Sequence, residues 1–143
     1  MLNKTSKYAI KAVIYLGIHS SKSHKILTRD MYREIKVSES YLAKILQDLS
    51  RHGIISSVKG RNGGFYLSDE NMDRTLMDVV RIIEGDESVD SCVLGIHQCN
   101  IKKPCPLHYK VGQSKADFNA MLTRTHLKDL ISGIGNTEVY FPD

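Results

Sequence analysis

Between Lys7 and His19 the segment KYAIKAVIYLGIH is broken only by Lys7 and Lys11. Tyr8, Ile10, Ala12, Val13, Leu16 and Ile18 cover more than one side of a helix. The pattern predicts a helix over residues 6–19 that is buried on most sides. A polar loop, SSKSHK, leads into LTRDMYREIKVSESYLAKILQDLSRHG, which divides into two helical segments joined by a very short turn at Lys36 and Val37. Thr28 and Ser38 each stand just before a periodic segment, so both are expected to cap it by accepting orphan backbone N–H bonds. In the second segment Leu42, Ile45, Leu46 and Leu49 recur at i, i+3, i+4 and i+7 and form the inward stripe. Ser40, Lys44, Gln47 and Arg51 fall on the opposite face, which is therefore small, polar and basic.

Gly53 ends that helix, and IISSV and FYLS then read as two short β-runs around KGRNGG, whose Asn62-Gly63 pair suits a tight hairpin turn. TLMDVVRIIEG, residues 75–85, opens on a Thr-x-x-Asp capping box, carries Leu76, Val79, Val80 and Ile83 on one face, and stops at Gly85. A longer helix is predicted from His108 to Leu122, with Val111, Phe118, Met121 and Leu122 on one side. THLKDLI reads as a final short helix capped by Thr125.

Charge changes the picture. Residues 1–68 carry twelve Lys or Arg against four Asp or Glu, a net of +8, whereas residues 69–143 carry eight against twelve, a net of −4. A basic block over two short helices and a hairpin is the electrostatic footprint of a winged helix-turn-helix that binds double-stranded DNA. Ser40 and Tyr41 lie near the start of the second helix, where recognition helices make most base contacts. With Thr28, Ser38, Lys44, Gln47 and Arg51 they are the candidate DNA-contacting set. Lys59 and Arg61, near the hairpin tip, are placed to meet phosphates or a narrow minor groove.

At 143 residues the chain is long enough to bury a core without disulfide or metal staples. The N-terminal MLNKTSKYAIKAVIYLGIHS lacks a signal architecture and an apolar run of membrane-spanning length, so a cytoplasmic protein with no membrane partner is expected. Three cysteines cannot all pair within one chain, and a reducing compartment keeps them available for metal or redox chemistry. No nucleophile–base pair or phosphate-cradling loop is present, so an enzyme is not expected.

From TSKYAIKAVIYLG through VSESYLAKILQDLSRHGIISSVKGRNGGFYLS to CVLGIHQCNIKKPCPLH, the chain resembles the Rrf-type family of bacterial winged-helix regulators, which includes IscR-like and NsrR-like members. The SxSYL opening of the recognition helix, the GxxGGFxL wing and the three-cysteine loop occur in that order, and the likeness runs over nearly the whole chain. It implies a homodimeric transcription factor, usually a repressor, controlled by an iron–sulfur cluster or by cysteine redox state. It also implies dimerisation through the long helix after the cysteine loop. The expected fold class is mainly α with a small β-hairpin wing: a winged helix-turn-helix plus a long C-terminal dimerisation helix. Residues 1–85 form the DNA-binding domain, 86–107 the cysteine-rich cluster-binding loop, and 108–143 the dimerisation helix and C-terminal segment.

The loop Cys92-x6-Cys99-x5-Cys105-x2-His108 offers three soft thiolates and an imidazole, a set suited to iron–sulfur clusters or to zinc. Structural zinc sites mostly present close Cys-x2-Cys knuckles, which this loop lacks; the wider spacing wraps more easily around a cluster. Lys102 and Lys103 would offset the negative charge of the thiolates, and Pro104 and Pro106 would stiffen the approach of Cys105. Some nitric-oxide sensors of the family recruit a carboxylate from the first helix of the partner subunit. Here no Asp or Glu precedes Asp30, and Lys7 stands near that position. The resemblance to IscR-like members then makes His108 the expected fourth ligand, with His97 as its rival, and favours a 2Fe-2S over a 4Fe-4S cluster. Ala43 stands where IscR-like members commonly carry Glu, so simple presence-or-absence control of DNA affinity is expected. A cluster-free thiol switch and a structural zinc site remain alternatives.

Overall fold

The computed structural model describes residues 2–95 and 100–134. Helix α1 spans Lys4–His19 and begins earlier than the apolar pattern because Asn3 caps it, Oδ1 accepting from the Ser6 N–H at 2.8 Å. Its inward face is Ser6, Ala9, Ala12, Val13 and Leu16, while Tyr8 and Ile10 are half-buried and Ile18 is exposed. The small residues let α1 pack closely at the centre of the molecule, against helices α2 (Thr28–Ile35), α3 (Glu39–Arg51), α5 (Leu76–Glu84) and α8 (Leu127–Ser132).

The cap expected of Thr28 is not there. Leu27 is the N-cap residue without a side-chain cap bond, and Thr28 is the first residue of α2. The cause lies one residue upstream. Ile26 pairs with Phe65, N–H to O at 2.9 Å and O to N–H at 2.8 Å, which holds the backbone extended up to Leu27. Ser38 does cap α3, accepting from the Tyr41 N–H at 3.3 Å. The intervening turn is closed by Lys36 in the left-handed region, at φ 62. Leu42, Ile45, Leu46 and Leu49 are all buried, as their spacing predicts.

Strands β1 (Ser56–Val58) and β2 (Gly64–Tyr66) form an antiparallel hairpin in which Val58 faces Gly64. They are shorter than IISSV and FYLS. Ile54 and Ile55 are both buried, which a two-sided strand alternation forbids, and they instead turn the chain through the core after α3. Two single-turn helices absent from the sequence pattern follow, α4 (Asp69–Met72) before α5 and α6 (Asp86–Val89) after it. The Thr75–Asp78 capping box is present in both directions, at 3.2 and 2.9 Å.

Helix α7 covers His108–Arg124. Thr125 closes α7 rather than opening α8: its Oγ1 donates to Met121 O at 2.8 Å, and the N-cap of α8 is His126. Backbone pairing again sets where the helix starts, here one residue later than expected, because Leu76 N–H reaches Thr125 O and Leu127 N–H reaches Arg74 O. In α7 only Leu122 is buried, Phe118 is half-buried, and Tyr109 is 77% exposed, so most of this helix lacks an apolar partner among the described residues. Among the described residues no helix is long and apolar enough to cross a membrane.

Candidate functional site

Two surfaces carry the candidate residues. The first lies between α3 and the hairpin, where Gln47, Arg51 and Lys59 line one open groove of about 630 Å³. Ser40 and Lys44 are exposed on α3, and Arg61 is exposed at the hairpin tip. Arg51 pairs with Asp48 at 3.4 Å, but both side chains are open to solvent, so the pair is weak and the guanidinium can exchange it for a phosphate. Other candidates do different work. Ser38 Oγ is engaged as the α3 cap, and Thr28 is half-buried at the start of α2. Tyr41 turns inward: its hydroxyl meets Thr5 Oγ1, and its ring stands edge-on to Tyr8 at 6.0 Å, which seats the start of α3 on α1.

The GxxGGF run explains the wing's shape. A Cβ on Gly63 would lie 2.3 Å from Val58 O, and one on Gly64 would lie 2.9 Å from Ile26 O. Glycine is thus required where the hairpin folds on itself and where it docks against the chain before α2. Periodicity does not point to Leu27, Ser50 or Ser57, which complete the groove, with Ser50 and Ser57 joined Oγ to Oγ at 2.7 Å. Only the GGF spacing, which brings Phe65 against Ile26, hints at them. Asn71 has no signal in the sequence pattern either. It is buried, accepts from Ser56 Oγ and Ser68 N–H, and donates to Gly53 O, tying the exit of α3 to the wing. Burial, then nearby Glu34 and Asp30, pushes the Tyr15 phenol above its ordinary range, away from both surfaces.

The second surface is the cysteine loop. Cys92 is buried and Cys105 half-buried, and their Sγ atoms are 3.8 Å apart. Cys99 and His97 lie outside the described residues. His108 is the first residue of α7. Its N–H donates to Cys105 O at 3.0 Å and its ring stands edge-on to Tyr109. Lys102, Lys103 and the two prolines are exposed around Cys105. Cys92 forms part of the wall of a cavity of about 280 Å³ between α5, α6 and α7, beside Val80, Val111, Phe118 and Leu122.

The donor geometry can be tested against a metal. Two thiolates on one tetrahedral ion, each about 2.3 Å from it, would be about 3.8 Å apart, which is the separation seen for Cys92 and Cys105. These two residues therefore fit as neighbouring ligands of one metal, and soft thiolates suit iron–sulfur clusters and zinc alike. Among the described residues no group of three His, Cys, Asp or Glu side chains is assembled.

Comparison with known proteins agrees with the fold. The solved structure of CymR, the global cysteine regulator of B. subtilis, superposes with a TM-score of 0.73 at 20% identity, covering 93% of this chain and 97% of that one. That of T. potens IscR gives 0.71 at 20% identity, covering 99% and 93%. The transcriptional regulator NsrR of Geobacillus kaustophilus is 27% identical over 131 residues, 91% of this chain and 88% of its own length. The Rrf2 family model, described as an iron-dependent transcriptional regulator, matches residues 2–133. With a mainly helical fold, a two-stranded wing and a family match over residues 2–133, the chain belongs to the Rrf2 family of transcriptional regulators.

Proposed function

We propose that this protein is a homodimeric repressor that binds a double-stranded DNA operator and whose affinity is set by an iron–sulfur cluster, 2Fe-2S in preference to 4Fe-4S. Cys92, Cys99 and Cys105 would hold the cluster, with His108 as fourth ligand. The observation that carries this reading is the 3.8 Å contact between Cys92 and Cys105 at the foot of α7, together with the first-helix sequence that offers no acid before Asp30. Residues 1–85 act as the DNA-binding domain, 86–107 as the cluster loop, and 108–143 as the dimerisation segment. The sparsely buried face of α7 supports a two-fold partner, which a symmetric operator also calls for.

Bound there, a cluster would supply a centre sensitive to nitric oxide, oxygen or iron supply. The chain's own part is geometric. Cys92 and Cys105 fix both ends of the loop, and His108 joins the loop directly to α7, so a change at the thiolates alters the setting of that helix. A near-complete switch requires the two dimer shapes to differ by about 5.5 kcal/mol in ligand affinity. Cytoplasmic location accords with reduced cysteines and a DNA partner.

The test is an absorption spectrum with iron and sulfide analysis on protein purified without oxygen, followed by selection of operator duplexes from a random pool in both metal states. Charge-transfer bands with bound iron and sulfide, and an operator bound in one state, are the expected results. A colourless protein that cannot be reconstituted overturns the cluster assignment. The same sulfur contact favours a second reading, a cluster-free thiol switch in which two of the three cysteines close a disulfide. It would show as a two-proton mass loss under mild oxidation with no iron bound.

A further inference from the structure

A line of polar contacts runs from the cysteine loop to the recognition helix without leaving the subunit. At one end, Ser91, the residue before Cys92, accepts from Lys115 Nζ of α7 at 2.5 Å and donates through Oγ to Ser88 O at 2.7 Å. Ser88 Oγ donates in turn to Glu84 Oε2 at 3.3 Å. The other oxygen of that carboxylate accepts from Asn3 N–H at 2.6 Å and from the buried Ser6 Oγ at 2.9 Å, both at the start of α1. One turn of α1 then reaches α3, since Thr5 Oγ1 meets the Tyr41 hydroxyl and the Tyr41 N–H is held by Ser38.

The placement of Glu84 is informative. It ends α5, where the helix dipole disfavours an acid, and it sits on the N-terminus of α1, whose own first turn carries none. An anion there is stabilised by α1, not by its own helix, so Glu84 ties α1 to the α5–α6 corner. The cavity beside Cys92 is lined by Glu84, Ser88 and Ser91, so the segment has room to repack when the thiols change.

We infer that Glu84 is a positioning residue that couples the cysteine loop to the recognition helix through the N-terminus of α1. Coupling of this kind is reciprocal: what the thiols do to α3, DNA on α3 does to the thiols. The inference rests on the DNA-binding half of the proposed function and needs no metal.

In the reduced, metal-free full chain, alkylation of Cys92 by a maleimide is followed by mass spectrometry with and without a selected operator duplex. Cys92 is buried, so its alkylation rate follows the equilibrium that exposes it. The operator is expected to shift that equilibrium, and with it the wild-type rate, by about fivefold or more, whereas Glu84→Ala and Thr5→Val, both outside the DNA-contacting set, should remove most of that change while keeping their helical spectrum. An operator effect equal in wild type and Glu84→Ala, or absent in wild type, overturns the coupling.

A second measurement works without DNA. Glu84→Ala should speed amide exchange over residues 41–44 of α3, and should add nothing there once Thr5→Val has cut the last link; independent, additive effects would overturn the inference. Failure of the functional reading registers separately, as no duplex retained from the random pool or no iron in the purified protein.

Discussion

Cys92 and Cys105, thirteen residues apart in sequence, bring their Sγ atoms to 3.8 Å, one from the corner after α6 and the other from the approach to α7. Cys92→Ala, Cys99→Ala and Cys105→Ala are each expected to abolish cluster loading and its effect on operator binding while leaving a folded dimer. For Cys92 and Cys105 the stability cost should stay under about 2 kcal/mol, as for a small side chain outside the main core. Iron and sulfide analysis beside gel filtration checks this, and normal loading in all three variants would sink the assignment.

Lys44 is exposed on α3 and Arg61 at the hairpin tip, and neither belongs to the cysteine loop. Lys44→Ala or Arg61→Ala should weaken operator binding and lower the slope of log K against log salt by about 0.9 for each phosphate that the variant leaves unneutralised. The cluster absorption should not change. A salt titration of operator affinity decides the matter, and an unaltered slope in both variants would remove these residues from the interface.

Gly63 shows the strictest steric demand in the wing, because an added Cβ would meet backbone oxygens of both Val58 and Gly60. Neither oxygen can move without opening the hairpin. Gly63→Ala is expected to cost about 1–3 kcal/mol and to impair operator binding more than it impairs folding. Thermal unfolding and a binding isotherm on the same sample would separate the two effects.

Asn71 accepts from Ser56 Oγ and from Ser68, and donates to Gly53 O, while almost wholly buried. Asn71→Ala would leave several of these groups without partners, at about 1–3 kcal/mol for each that water cannot reach. Asn71→Asp sets a carboxylate oxygen against Gly53 O but keeps the acceptor for Ser56 and Ser68, so its cost should be smaller than that of Asn71→Ala, which loses every one of these contacts. Urea denaturation of the pair tests the ranking.

Periodicity is enough to locate α1, α3 and α5, since each has an apolar stripe that is buried, and it also locates α7, of whose stripe only Leu122 is buried. The Ser38 cap and the Thr75–Asp78 box are legible for the same local reason. Thr28 and Thr125 have the right residue type for a cap but do not act as one, because each stands beside a stretch whose backbone is already paired across the molecule, Ile26 with Phe65 and Thr75 with His126. Those pairings shift the helix start by a residue, to one residue earlier for α2 and one later for α8, and no local pattern announces them. Likewise Ile54 and Ile55 suit a strand by propensity, and only the core behind the exit of α3 makes them a buried turn.

The order of elements, the basic half, the glycine-rich wing and the set of soft ligands can be read from the chain alone, because they follow from residue type and short-range spacing. Which of those residues meet is a property of the packed molecule. Packing set the Tyr41 hydroxyl against Thr5, drew Gln47, Arg51 and Lys59 onto one groove, and set Cys92 against Cys105. It also placed Glu84 on the N-terminus of another helix. A contact between residues far apart in the chain depends on how whole elements are arranged, and that arrangement minimises exposed apolar surface over the entire molecule rather than over any one segment.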